Sequence, residues 1–387
     1  MIFALQNGIA LVKRDSDFAR LWNSESVTEA ILLVGGQGTR LRPLTISTPK
    51  PMLPVAGFPC TEHQIARAAQ AGVTRIVLGT SFRAEVFQEY FAGRDDLGVE
   101  IVYAVEDHPL GTGGAIRNAA RYLNSKPDEP VIVFNGDVLT GLDIGALVQQ
   151  WRDRTADVAI YLTRVDDPRA YGLVPTDSLG NVLAFTEKPQ TPAEIVTDQI
   201  NAGCYVFRRS VIDEIPDNQV VSVERETFPA LLTRGATFIG VVDDGYWLDL
   251  GTPLAFAQGS ADLVLGVAPT PLLEGRTGKA FVHTNAEVSA KSELSGGTFI
   301  GANVKIGAGA TIEASVIYEG AVIGDNVTIV RSIIGSNSSI GDGTSITESV
   351  VAEHVEIGQN NELISGARVF PHARIDNTAI RFSSDRS

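Results

Sequence analysis

From about Phe281 onward an aliphatic residue recurs every six positions, at Val282, Val288, Leu294, Ile300, Ile306 and Ile312. The phase then slips, and the spacing resumes at Ile323 and Ile329, at Ile334, Ile340 and Ile346, and at Val351, Ile357, Leu363, Val369 and Ile375. Glycine often follows the aliphatic residue, as in Ile300-Gly301, Ile306-Gly307, Ile323-Gly324 and Ile340-Gly341. A six-residue period is neither the helical nor the simple strand period. It is the period of a parallel β-helix, where each aliphatic side chain points inward and stacks on its counterpart one coil later, with Gly and Asn at the corners. Such a solenoid has exposed ends and flat faces, so self-association is expected.

The preceding part follows another rhythm. Short apolar runs over 30–34, 75–78, 100–104, 131–134 and 158–162 alternate with helical stretches over 60–71, 84–91, 112–123 and 144–154. Buried β-rich runs separated by amphipathic helices indicate an α/β domain, Rossmann-like, with a mixed, mostly parallel sheet. Ligands bind such sheets where strands end and loops open. The expected organisation is an N-terminal extension over 1–28, a catalytic domain over 29–262, a linker over 263–280 after a helix at 254–265, and the solenoid over 281–387. Residues 1–26 enter no motif, and Val27 is a candidate alternative start.

At 387 residues the chain is long enough for two cores. Its net charge of −15, from 31 basic and 46 acidic residues, argues against nucleic acid as a partner. Against that background Arg40, Arg42 and Lys50 form a local concentration of cations. No apolar run is long enough to span a bilayer, and the start lacks the basic and small-residue features of a signal peptide. Two cysteines, Cys60 and Cys204, make no disulfide framework. They are expected to be buried and inert, in a cytoplasmic protein.

After the first strand stand Gly35, Gly36 and Gly38, then Thr39-Arg40-Leu41-Arg42-Pro43-Leu44-Thr45 and Pro49-Lys50-Pro51. The glycines do not have dinucleotide-fold spacing, and no Gly-Lys-Ser/Thr follows, so a P-loop is excluded. Glycines alone would mark only a tight turn. With arginine and lysine beside them, a bare backbone can approach phosphate oxygens while the cations face an anion.

This run resembles the signature of nucleoside-diphosphate-sugar pyrophosphorylases. The resemblance continues through Leu110-Gly111-Thr112-Gly113-Gly114, Asn135-Gly136-Asp137, Tyr171-Gly172, Glu187-Lys188-Pro189, Asn201-Ala202-Gly203 and Trp247-Leu248-Asp249-Leu250-Gly251. Ser47-Thr48-Pro49-Lys50-Pro51, Val223-Glu224-Arg225-Glu226-Thr227-Phe228-Pro229 and Glu362-Leu363…Val369-Phe370-Pro371-His372 are similar to the branch of the family that uses GTP and mannose 1-phosphate. The repeat tail resembles the left-handed β-helix, an exception to right-handed crossovers.

The resemblance implies roles. Gly35, Gly36, Gly38, Thr39, Arg40 and Lys50 would bind the nucleotide, Arg40 and Lys50 meeting the triphosphate. Asp137 and Asp249 would hold Mg²⁺ against the α-phosphate, since a hard cation with oxygen ligands offsets repulsion between two phosphate anions. An Asp after a strand also serves as a turn or cap residue. Gly172, Glu187, Lys188 and Asn201 would form the sugar-phosphate pocket. Gly111 and Thr112 would lie near the base, the glycine admitting a flat ring. Glu106 suits guanine, whose adjacent N1–H and exocyclic amine match one carboxylate. Adenylyl, uridylyl or thymidylyl transfer to a glucose phosphate remains open, as do a non-catalytic regulatory subunit and acyl transfer on the β-helix through His354 or His372.

Overall fold

Glu29–Leu33 (β1) is apolar after its first residue, and a computed structural model of the chain places it in a sheet with its side chains almost wholly buried. The structure describes residues 29–36, 38–81 and 83–381. The expected N-terminal extension and its candidate start at Val27 lie outside them. The described residues form two compact units that do not follow chain order: one gathers 29–36 and 61–247, the other 38–60 and 248–381.

In the first unit, β1 pairs in parallel with Arg75–Thr80 (β2) on one side and Pro130–Asn135 (β4) on the other. Glu100–Val105 (β3) extends the sheet in parallel beyond β2. Helices Ala84–Phe91, Gly111–Ala119 and Ile144–Asp153 lie where amphipathic periodicity predicts them; the second ends in a single 3₁₀ turn, Ala120–Tyr122, rather than running to 123. Val158–Arg164 (β5) pairs in parallel with Phe238–Val242.

What makes the sheet mixed is Gln199–Arg208, a ten-residue strand lying antiparallel between β4 and β5. It bridges the parallel strands to Gly172–Leu173 and Thr186–Glu187. Its register breaks between Asn201 and Tyr205, with Gly203 at φ +77°, so Asn-Ala-Gly forms a bulge inside the strand. Ile31, Val133, Ile160, Tyr205, Phe207 and Phe228 share the core. Each such side chain contributes about 1.5–3 kcal/mol on burial.

In the second unit the strands from Ala280 onward stack in three parallel sheets. Register pairs Ile300 with Ile317, Ile306 with Ile323, and Ile312 with Ile329, so the six-residue period lines one interior, consistent with a left-handed β-helix. The phase slips have a local cause. Val316 over Phe299 and Ile333 over Val316 set coils 17 residues apart, whereas Thr298 over Ala280 and Arg368 over Val350 set them 18 apart. The longer coils turn one corner with two left-handed residues, Gly296-Gly297 or Ser365-Gly366; the shorter ones use one, at Ala314, Arg331 or Glu348. Buried hydroxyls then tie these corners together. The Ser332 amide donates to Ser315 Oγ at 3.0 Å and the Ser349 amide to Ser332 Oγ at 3.1 Å.

One stack differs from the other two. Its outward positions, Phe299, Val316, Ile333 and Val350, are as buried as its inward ones. The outward Lys305, Val322 and Glu356 of the next stack are exposed. The helix Pro253–Leu265, capped by Thr252 Oγ1 on the Ala255 amide, packs into this unit, its Ala261 carbonyl within 2.4 Å of where a Cβ on Gly297 would stand.

Candidate active site

In the second unit the chain turns at Gly38 with φ +59°, and a Cβ there would stand 2.6 Å from Lys50 Cβ. Only glycine lets the loop close so tightly. Thr45 Oγ1 and the Leu41 amide both donate to the Gly38 carbonyl, at 2.9 and 3.0 Å. Thr39–Leu41 is a 3₁₀ turn carrying the exposed Arg40, and Lys50 begins a second one, buried. Lys50 Nζ lies 3.6 Å from Asp249 Oδ1. A Cβ on Gly251 would meet Arg40 Nη2 at 2.8 Å and Asp249 Oδ2 at 3.0 Å. Residues far apart in sequence thus converge on one carboxylate, Lys50 pairing with Asp249 while Arg40 and Asp249 flank the bare Gly251.

In the first unit Asp137 follows β4 on a turn held from two sides. The Gly136 amide donates to the Leu33 carbonyl at 2.8 Å, and a Cβ on Gly136 would lie 2.5 Å from that oxygen. Gln64 Nε2 donates to the carbonyls of Asn135 at 2.7 Å and Val138 at 3.0 Å, clasping the residues on either side of Asp137. Sequence reasoning missed Gln64; a glutamine on a helix carries no signal that its amide serves a turn more than 70 positions away. Gly35 closes the end of β1 by accepting from Ser81 Oγ at 2.7 Å, while Gly36 has open space around it.

Glu106 follows β3, half-buried, and its Oε2 accepts from the Leu110 amide at 3.2 Å. Burial raises its pKa, partly opposed by that bond. Gly111 and Thr112 open the following helix, with a physical reason other than the one expected. A Cβ on Gly111, whose φ is +71°, would fall 2.6 Å from the Val221 carbonyl, so the space the glycine leaves is filled by the chain's own backbone rather than by a ring. Thr112 Oγ1 donates to Glu224 Oε2 at 2.6 Å and accepts from the Val223 amide at 2.9 Å. These bonds tie the helix start to Val223–Thr227, which makes Glu224 a second residue without an expected role.

The expected sugar-pocket residues lie on adjoining strands, Asn201 on the one that pairs with Gly172–Leu173. Gly172 pairs with Glu187, and a Cβ on it would meet Glu187 Oε2 at 2.8 Å. Lys188 sits at φ +49° with Nζ 3.6 Å from Glu187 Oε1. Burial, then the charge of Glu224, raises the Glu187 pKa. Asn201 instead serves the bulge: its Nδ2 donates to Tyr205 Oη at 2.8 Å and its Oδ1 accepts from the Gly203 amide at 2.9 Å. Beside the bulge, Trp247 Nε1 donates to the Ala202 carbonyl at 3.0 Å and its ring meets Tyr171 edge-on.

Other expectations can be placed too. Cys60 and Cys204 are buried and not joined in a disulfide. His354 and His372 stack at 5.3 Å on exposed left-handed corners of neighbouring coils. Among the described residues no helix is long and apolar enough to cross a membrane, and no three His, Cys, Asp or Glu side chains gather to hold a metal.

A loop of glycines and cations after the first strand of a mixed sheet, followed by a β-helix, defines a class. The chain belongs to the Nucleotidyl transferase family, which it matches over residues 29–264, and residues 276–383 match the GMPPB C-terminal domain. It is 54% identical to a mannose-1-phosphate guanylyltransferase of Mycobacterium tuberculosis, over 92% of this chain and 98% of that one. It is 34% identical to a mannose-1-phosphate guanyltransferase of Debaryomyces hansenii, over 90% of this chain and 97% of that one. Among solved structures it is similar to HddC from Yersinia pseudotuberculosis, with a TM-score of 0.53 and 28% identity, covering 61% of this chain and all of that one. HddC has also been solved complexed with GMP-PN.

Proposed function

We propose that the chain joins mannose 1-phosphate to GTP, giving GDP-mannose and pyrophosphate. The observation that carries nucleotidyl transfer is the convergence of Arg40 and Lys50 on Asp249 beside Gly251. The base and sugar follow from relatives that share both domains of the chain.

In this reaction an oxygen of the sugar phosphate attacks the α-phosphorus. The bond from that phosphorus to the bridging oxygen breaks, and pyrophosphate leaves with the electron pair. No covalent enzyme intermediate is needed, so positioning and charge stabilisation supply the catalysis. Arg40 and Lys50 bind the β- and γ-phosphates and oppose charge building on the leaving group. Lys188 meets the sugar phosphate, Glu187 and Asn201 accept or donate to sugar hydroxyls, and Gly172 leaves room for the ring. Glu106 accepts from guanine, with Gly111 and Thr112 shaping that end of the site.

Family members use a divalent metal, and the carboxylates of Asp137 and Asp249 suit a hard cation, Mg²⁺ in this reading. A cation held by one or two carboxylates and completed by phosphate oxygens and water needs no dedicated protein cage, and none is found among the described residues. When bound, it neutralises phosphate charge and polarises the α-phosphate. Self-association through exposed aliphatics such as Val282 and Val322, and a cytoplasmic setting that keeps the two thiols reduced, belong to the same reading.

The test is a turnover panel of the four common nucleoside triphosphates against mannose and glucose 1-phosphates, followed by pyrophosphate release. GTP with mannose 1-phosphate should give the highest kcat/KM. Faster turnover of any triphosphate with glucose 1-phosphate would overturn the assignment.

A further inference from the structure

The segment that carries Arg40 and Lys50 is fastened to the β-helix along one stack. Arg368 Nη1, on the strand Arg368–Val369, donates to the carbonyls of both Arg40 at 2.8 Å and Arg42 at 2.7 Å. Ser47 Oγ donates to Glu353 Oε1 at 3.3 Å, just after strand Val350–Val351. Tyr318 Oη, just after Val316–Ile317, donates to the Pro54 carbonyl at 2.8 Å. A Cβ on Gly57 would strike the Phe299 ring at 2.9 Å, within Thr298–Ile300. All four strands belong to the stack whose outward face is buried.

We propose that Arg368 is a positioning residue for the triphosphate: by bridging the two carbonyls that flank Leu41, it sets the turn on which the Arg40 guanidinium is presented beside Asp249 and Gly251. The Tyr318 and Phe299 contacts hold the segment where it is largely covered, and the exposed Ser47–Glu353 bond lies beyond the turn. Arg368 acts on the exposed turn that carries the cation. A single charged donor shared by two carbonyls restricts both peptide planes, and charge-assisted bonds are the stronger kind. Restricting the turn before GTP arrives lowers the ordering cost of binding. The effect should therefore fall on the triphosphate and not on the sugar phosphate, which the reading above assigns to Lys188 and Glu187.

This rests on the role proposed for Arg40, so the experiment separates the two. In the full-length chain, Arg368→Met keeps the apolar stem and removes the donors. It should raise KM for GTP at least tenfold, leave KM for mannose 1-phosphate within twofold, and speed amide exchange over 39–44. Arg368→Lys, still a cationic donor, should recover part of the loss. Arg374→Ala, which breaks an ion pair with Glu356 on the next stack, should change none of these. Wild-type KM for GTP in Arg368→Met, or equal rises for both substrates, would overturn the proposal. If Arg368→Met does not fold, Arg368→Lys decides: an intermediate KM for GTP supports the proposal and a wild-type value sinks it. Arg40→Ala distinguishes the two readings. Unchanged GTP turnover there removes the role of Arg40, while amide exchange still reports whether Arg368 holds the turn.

Discussion

Glu106 sits half-buried at the end of a parallel strand with one oxygen already accepting the Leu110 amide. A carboxylate oxygen can accept twice, so that bond orients the group toward a base without consuming it. Glu106→Gln makes a clean test, because the amide oxygen can still serve Leu110 while the charge is lost. The preference for GTP over UTP should fall roughly tenfold or more, the size expected when a hydrogen bond to a charged group is weakened. The thermal midpoint should move little. Unchanged base preference would remove Glu106 from base recognition. Arg40 and Lys50 could be picked out in the sequence as cations beside bare glycines, and Asp137 and Asp249 only through the family resemblance, since an Asp after a strand has ordinary turn and cap uses. Gln64 and Arg368 could not, since both act on backbone carbonyls remote in the chain and look like ordinary surface residues.

At the scale of elements, the parallel strands and their helices were legible because each is a short apolar run or an amphipathic stretch with clear ends. The central antiparallel strand Gln199–Arg208 was not, as Asn201-Ala202-Gly203 interrupts its alternation with a bulge. The glycines opening the helix Gly111–Ala119 were legible as a motif and misread in their cause. Gly111→Ala adds a Cβ at φ +71° against the Val221 carbonyl, and Gly114→Ala places one 2.4 Å from the Gln219 carbonyl. Each should destabilise by about 1–3 kcal/mol, the cost of strained backbone or overpacking, read as a lower urea midpoint with unchanged slope. A midpoint equal to wild type in both would show that the segment around Val221 moves aside freely.

Across the whole molecule, the six-residue period announces the solenoid but not which of its faces is covered. The signal is present in hindsight: paired aliphatics at Val316-Ile317, Ile333-Ile334 and Val350-Val351 contrast with Lys305-Ile306, Ser339-Ile340 and Glu356-Ile357. Ile333→Ala should therefore cost about 2–5 kcal/mol as a core truncation. Val322→Ala, at a position 45% exposed, should stay within about 0.5 kcal/mol. Equal effects in thermal unfolding would contradict a covered face. The same face ties the solenoid to the segment that carries Arg40 and Lys50. The chain from Arg40 to Gly57 is met in turn by Arg368, Glu353, Tyr318 and Phe299, running from the late coils back to the second. The coil number therefore works as a ruler. Removing one coil would leave the remaining stack sound yet draw Arg368 short of its carbonyls by about 4.8 Å, the spacing of neighbouring strands. Repeat length in this protein is fixed by the loop it has to reach.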